Sequence, residues 1–122
     1  MEYFSDYWWL ILIIISIVIL ISRSFNNRKK TNNIKEFIDD NAVIIDVRSE
    51  SEFNSGNLEG SVNVPLKDLM YRVNEFEKEK KYITVCTVGM RAESAKKFFK
   101  KRGYQVVNGG RWSNLKDLRN NA

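Results

Sequence analysis

Between Tyr7 and Ser22 the chain runs 16 residues without a charge, most of them Ile, Leu or Val. As a helix this run is apolar on every side, which fits a core helix poorly because a core helix shows one apolar stripe and one polar face. It would span about 24 Å at ~1.5 Å per residue, slightly less than a ~30 Å hydrocarbon layer. Flanking residues close the gap: Tyr3, Phe4, Tyr7, Trp8 and Trp9 crowd one end as an aromatic belt, and Arg23 can snorkel at the other. The sequence therefore predicts an N-terminal transmembrane anchor over residues 1–23. Glu2 and Asp6 precede the run and Ser22-Arg23-Ser24-Phe25 follows it, unlike the basic start and small-residue cleavage site of a signal peptide, so the segment is expected to be retained. Arg23, Arg28, Lys29, Lys30 and Lys35 all follow the run and no Lys or Arg precedes it. The positive-inside rule then places the N-terminus outside. In a bacterial chain this means a single pass of the inner (cytoplasmic) membrane, with everything after the anchor in the cytoplasm.

What remains of the 122 residues is enough for one small domain. The absence of histidine removes the usual general base, and a single cysteine cannot assemble a classical zinc site. No metal or cofactor is expected. One cysteine also excludes an internal disulfide, which agrees with a reducing compartment. All 20 Lys and Arg, but only 13 of the 15 acids, lie after the apolar run, and such a basic body suits an anionic membrane surface. Arg28-Lys29-Lys30 is placed to meet lipid head groups. Nucleic acid is discounted as a partner, since the chain has neither a recognition motif nor interleaved aromatics.

Residues 24–31 are polar and basic with no apolar period and read as a short tether, leaving residues 32–122 for the domain. Ile34, Phe37 and Ile38 share one face of a helix over residues 32–40, capped by Thr31 or Asn32. Residues 42–47 are almost continuously apolar, the pattern of a parallel strand covered on both faces. Residues 49–60 read as loop with one helical turn, and 61–64 as a short strand stopped by Pro65. Leu66, Leu69, Met70 and Val73 then recur at helical spacing, followed by a strand over 80–86. A helix over 91–102 carries Ala92, Ala95, Phe98 and Phe99 inward. Gly103 ends it, before a strand at 104–107 and a closing helix at 112–118. Alternating strands and helices imply a three-layer α/β domain with a mainly parallel sheet.

In such sheets ligands gather where the carboxyl ends of strands meet helix N-termini, and Cys86 and Asp46 occupy two of those ends. The stretch Cys86-Thr87-Val88-Gly89-Met90-Arg91 follows a strand and opens a helix. That arrangement aims backbone N–H groups and the positive helix end at the sulfur, favouring the nucleophilic thiolate. Gly89 allows backbone angles other residues resist, and Arg91 sets a fixed cation one turn from the sulfur.

This loop resembles the Cys-x-x-Gly-x-Arg loop of the rhodanese-like domains. Three further blocks are similar to that family, in its order: Ala42-Val43-Ile44-Ile45-Asp46-Val47-Arg48, the stretch from Glu52 to Pro65, and Gly109-Gly110-Arg111-Trp112. The resemblance implies a three-layer rhodanese-like domain in which Cys86 takes a sulfane sulfur from thiosulfate or a persulfide. It would hold that sulfur as a persulfide among the amides of Thr87 to Arg91 and pass it to a thiol or cyanide. Arg91 is expected to pair with Glu52 or Asp46 and fix the loop, Arg48 to attract an anionic donor, and Trp112 to pack against the loop from the final helix. Related phosphatase and arsenate reductase loops hold five residues between Cys and Arg; here there are four, a cradle sized for one sulfur atom. Asn57 stands where the family often has His, Thr87-Val88 replaces a more frequent charged and small polar pair, and the last block is one residue short. The alternative reading is a catalytically idle module of this family that docks a partner beside the membrane.

Overall fold

In a computed structural model describing residues 6–120, the chain divides into two compact units, Met1–Asn32 and Asn33–Ala122. Tyr3 and Phe4 of the expected aromatic belt lie outside the described residues.

The first unit is made by α1 (Trp8–Asp39), whose last residues belong to the second unit. Its apolar part reaches a mean hydropathy of 2.3 and none of it is buried, so it is long and apolar enough to cross a membrane. Ser16 returns its hydroxyl to the Leu12 carbonyl at 2.9 Å, which satisfies the polar side chain in the middle of the apolar run. The expected tether is a correction: residues 24–31 are helical and continuous with both neighbours. They hold neither Gly nor Pro, so nothing interrupts the i→i−4 ladder. Thr31 accordingly bonds back to the Asn27 carbonyl at 2.9 Å instead of capping a new helix.

The second unit is built on a four-stranded sheet, β1 (Val43–Asp46), β2 (Val62–Asn63), β3 (Lys81–Cys86) and β4 (Gln105–Arg111). All pairs are parallel, in the order β2-β1-β3-β4. Asn41, at a φ of 58°, ends α1 while the Ala42 N–H returns to the Phe37 carbonyl, turning the chain into β1. Four further helices follow in sequence: α2 (Glu50–Ser55), α3 (Leu66–Arg72), α4 (Met90–Lys101) and α5 (Asn114–Asn120).

Strand alternation divides the core into two layers. Ile45, Val47, Tyr82 and Cys86 face α3 and α4, where Phe76, Tyr82, Phe99 and Tyr104 pack ring to ring with centroids 5.1–5.9 Å apart. Ile44, Ile83 and Val85 face the opposite layer with Ile34, Leu58 and Leu115. Of the apolar residues expected along α3, Leu69 and Val73 are buried but Met70 is 66% exposed.

β4 is longer than expected. It continues through Gly109 and Gly110 with a bulge at Gly109, so that Thr84 pairs with Asn108 and the next residue, Val85, with Gly110. Trp112 therefore falls outside the closing helix, which begins at Asn114, and its N–H extends the ladder to the Cys86 carbonyl at 3.0 Å. Gly109 is required by close approach: a Cβ there would sit 2.7 Å from Ile83 Cγ2 and 3.0 Å from both Leu115 Cδ1 and Val85 Cγ1. Gly109→Ala should destabilise the fold by about 1–3 kcal/mol, the range for overpacking a close-packed core. Thermal unfolding of the full chain in detergent measures this, and an unchanged midpoint would refute the packing argument.

Candidate active site

β1 ends at Asp46, and its carboxylate is fully buried. It accepts from Arg48 Nε at 2.9 Å, Arg48 Nη2 at 2.7 Å and the Arg48 backbone N–H at 3.1 Å. Arg48 is itself only 4% exposed. It donates onward to the carbonyls of Glu52 at 3.3 Å and Gly56 at 2.7 Å, and its guanidinium lies 4.7 Å from the Trp112 ring centre. The expectation that Arg48 attracts an anionic donor is thereby corrected, because its charge is already spent on a buried carboxylate. Trp112 is corrected too: its ring lies against Arg48 and Gly56 at the end of α2, not on the cysteine loop from a final helix.

The same turn positions Glu52. Ser49 caps α2, accepting from the Glu52 N–H while Glu52 Oε1 accepts from the Ser49 N–H, both at 3.3 Å. This reciprocal capping box holds the Glu52 side chain before it meets anything distant. Arg91 then closes on it with two parallel bonds, Nη1 to Oε1 at 2.8 Å and Nη2 to Oε2 at 3.0 Å. Of the two carboxylates considered for Arg91, the structure brings it to Glu52. Thr87 Oγ1 donates to Glu52 Oε2 at 3.2 Å, so both ends of the loop after Cys86 are held by one carboxylate. Hydrogen bonding from Arg91, then from Ser49, holds the Glu52 carboxyl well below the usual carboxylate range, and the Glu52 hydrogen bond raises Arg91 in turn.

Cys86 closes β3 and is fully buried. Side-chain parity along the strand turns it toward α4, the layer in which Thr84 bonds the Ala92 carbonyl at 2.8 Å. Gly89 precedes the first residue of α4 at a φ of 94°, and in that conformation its N–H donates to Cys86 Sγ at 2.9 Å. Val88 and Met90, on either side of Gly89, are 74% and 76% exposed. Beside the loop, Arg91 lines an open cleft of about 310 Å³ together with Val47, Glu50, Leu66, Lys67 and Asp68.

Three side chains in this network were missed from sequence. Ser49 had a legible signal, the Ser-x-x-Glu capping pattern. Asn63, which donates to the Asp46 and Arg48 carbonyls at 3.0 and 2.9 Å, had none. Nor did Asn108, whose Nδ2 donates to the Gly89 carbonyl at 3.0 Å.

A cysteine at the carboxyl end of a parallel strand, an amide on its sulfur and an arginine held in the first turn of the next helix compose the loop geometry. Residues 30–112 match the model of the rhodanese-like domain. The chain belongs to the rhodanese-like domain family. It is similar to YtwF of Bacillus subtilis, a protein provisionally named a sulfurtransferase, with 30% identity over 80 residues that cover 64% of this chain and 78% of that one. It is also similar to the tRNA sulfurtransferase of Thermoplasma acidophilum, 31% identical over 87 residues, which are 71% of this chain but only 17% of that enzyme. Among solved structures, a rhodanese-related protein of Thermoplasma volcanium superposes with a TM-score of 0.59 at 30% identity, covering 67% of this chain and 83% of that one.

Two outcomes follow from the ion pairs. Glu52 has a lowered folded-state pKa, so its contribution to stability is complete above its unfolded value of 4.5 and is lost as pH falls through the folded value. Glu52→Gln should therefore lower the unfolding midpoint at neutral pH, with the gap from wild type narrowing under strong acid; a gap that widens on acidification would contradict the pairing. Asp46→Ala strands a buried guanidinium and should cost about 3–5 kcal/mol, the range for breaking one side of a buried pair. Chemical denaturation of the full chain in detergent checks this.

Proposed function

We propose that this chain is a membrane-anchored sulfurtransferase that carries a sulfane sulfur as a persulfide on Cys86, taken from thiosulfate or a persulfide donor. The observation that carries the reading is the Gly89 N–H set 2.9 Å from Cys86 Sγ at the start of α4. A preorganised amide and a helix N-terminus stabilise negative charge on sulfur with no proton-transfer residue, which suits a chain without histidine. In the first step the Cys86 thiolate attacks the outer sulfur of thiosulfate. A sulfur–sulfur bond forms to Cys86 as the old one breaks, and sulfite leaves with the bonding pair. In the second step cyanide or an acceptor thiolate attacks the terminal sulfur and the Cys86 thiolate is released. Arg91, held by Glu52, fixes the loop rather than meeting the donor as a free cation.

Anchoring rests on the apolar part of α1. The excess of Lys and Arg after it supports an N-terminus outside and the rhodanese-like domain in the cytoplasm, beside the inner face of the inner membrane. Arg28, Lys29 and Lys30 would then meet anionic lipid head groups. The acceptor is a small thiol or a thiol-bearing protein within reach of that surface. One observation favours the second reading, an idle docking module: Cys86 is completely buried, so a donor must reach a sulfur that solvent does not.

Thiosulfate:cyanide transfer by the full chain in detergent separates these readings. The wild type should turn over and gain the mass of one sulfur atom with donor alone, while Cys86→Ser does neither. Equal rates for the two proteins, with no sulfur gained, would overturn the enzymatic reading. Orientation is best read from a site other than the buried Cys86, such as the exposed Lys101. In a Cys86→Ser, Lys101→Cys chain, an impermeant thiol reagent should label only permeabilised cells, and labelling of intact cells would overturn the cytoplasmic placement.

A further inference from the structure

Asn108 lies in β4, outside the cysteine loop, and is 8% exposed. Both donors and the oxygen of its amide are engaged. Nδ2 donates to the Gly89 carbonyl at 3.0 Å and to Glu93 Oε2 at 2.9 Å, while Oδ1 accepts from the Gly110 N–H at 2.8 Å. Only a side chain with two donors and an acceptor on one short stem satisfies all three, which an aspartate or a serine cannot do. The Gly89 carbonyl also accepts the Glu93 N–H at 3.0 Å, the first bond of α4. The two bonds on this carbonyl hold the peptide after Gly89. The φ of 94° then turns the N–H of the same residue back onto Cys86 Sγ at 2.9 Å. Gly110 completes the clamp: a Cβ on Gly89 would come within 3.4 Å of Gly110 Cα, so the two glycine backbones are in close approach while Asn108 binds both.

We propose that Asn108 is the positioning residue that sets the reactivity of Cys86, acting through the Gly89 peptide to keep its N–H on the sulfur. This rests on reading Cys86 as the reactive group, but not on any particular donor or acceptor. Asn108 itself touches no reacting atom. Without its hold on the Gly89 carbonyl, the loop keeps the Glu52–Arg91 tie at its far end but is free to rotate the amide away from the sulfur. A thiolate then loses its nearest donor.

The test follows the pH profile of Cys86 alkylation by a small neutral reagent in the full chain in detergent, where Cys86 is the only thiol. Charged groups around the sulfur are Arg91 and Glu93 on α4, Glu52 on α2, Asp46 and Arg48 at the end of β1, and Arg111, the register partner of Cys86 in β4. Asn108→Ala and Asn108→Ser remove none of these charges but release Glu93 Oε2, so Glu93→Gln is run beside them: it should not move the profile to higher pH, and a rise equal to that of the Asn108 variants would overturn the inference. Both Asn108 variants should move the profile to higher pH and slow alkylation several-fold at a fixed pH on its rising limb. Thr84→Val, which breaks another buried tie between the sheet and α4 without touching Gly89, should lower the unfolding midpoint and leave the profile in place. Unshifted profiles in folded Asn108 variants would overturn the inference. So would a Thr84→Val shift of equal size, or failure of both Asn108 variants to fold, which would assign the residue to stability alone. Sulfur transfer measured on the same wild-type sample tests the enzymatic reading separately, because alkylation needs no sulfur donor.

Discussion

The carboxyl end of β1 is organised around two opposite charges removed from water. Burying Asp46 and Arg48 carries a large desolvation cost, which is offset only if the pair is close and its remaining donors and acceptors are satisfied. Here Asp46 accepts from three donor nitrogens of Arg48, and Arg48 reaches the carbonyls of Glu52 within α2 and of Gly56 just after it and lies over Trp112. One guanidinium thus gathers β1 and α2, which are near it in sequence, and the turn that follows β4, which is not. The positions of Glu52 and of Trp112 are consequences of that contact.

From Glu52 the order propagates into the cysteine loop. A six-residue helix such as α2 has little stability of its own. Its first turn is held by the Ser49 capping box and its end by Arg48, and so a carboxylate projects in a single direction. Arg91 meets it with the bidentate geometry that a guanidinium favours. The loop is thereby tied at Thr87 and Arg91 by one carboxylate, and between them at Gly89 by Asn108. Cations that a sequence reading would offer to an anionic substrate serve instead to shape the loop. The group that meets Cys86 Sγ is a backbone amide at the start of α4.

Much of this was legible because some physical demands are local. The almost continuously apolar residues 42–47 mark a strand covered on both faces, and the structure pairs it in parallel with the strand expected over 80–86 at the centre of the sheet. The four-residue spacing from Cys86 to Arg91 marked the loop, and the family model spans it. Other features were illegible for reasons equally physical. Residues 24–31 lack an apolar period, yet a helix entering from one side and leaving on the other continues through them because no residue breaks it. Arg48 was expected to attract an anionic donor, since the carbonyls that hold it belong to a helix whose packing the sequence does not show. Met70 shares the spacing of Leu66, Leu69 and Val73, but nothing in the chain says where the core ends.

The sequence by itself determined which groups were available: one cysteine, a glycine three residues on, an arginine two beyond that, no histidine, and an apolar run long enough for a bilayer. Periodicity and spacing act between near neighbours, so those facts needed no fold. Only the tertiary structure decided how the groups were paired. Arg91 had two acids to choose from, and it pairs with the half-exposed Glu52 because the buried Asp46 is already bonded to Arg48. The bulge at Gly109, which brings Asn108 under Gly89, depends on the meeting of two strands more than twenty residues apart in the chain. Register and burial are properties of packed segments, and no single segment carries them.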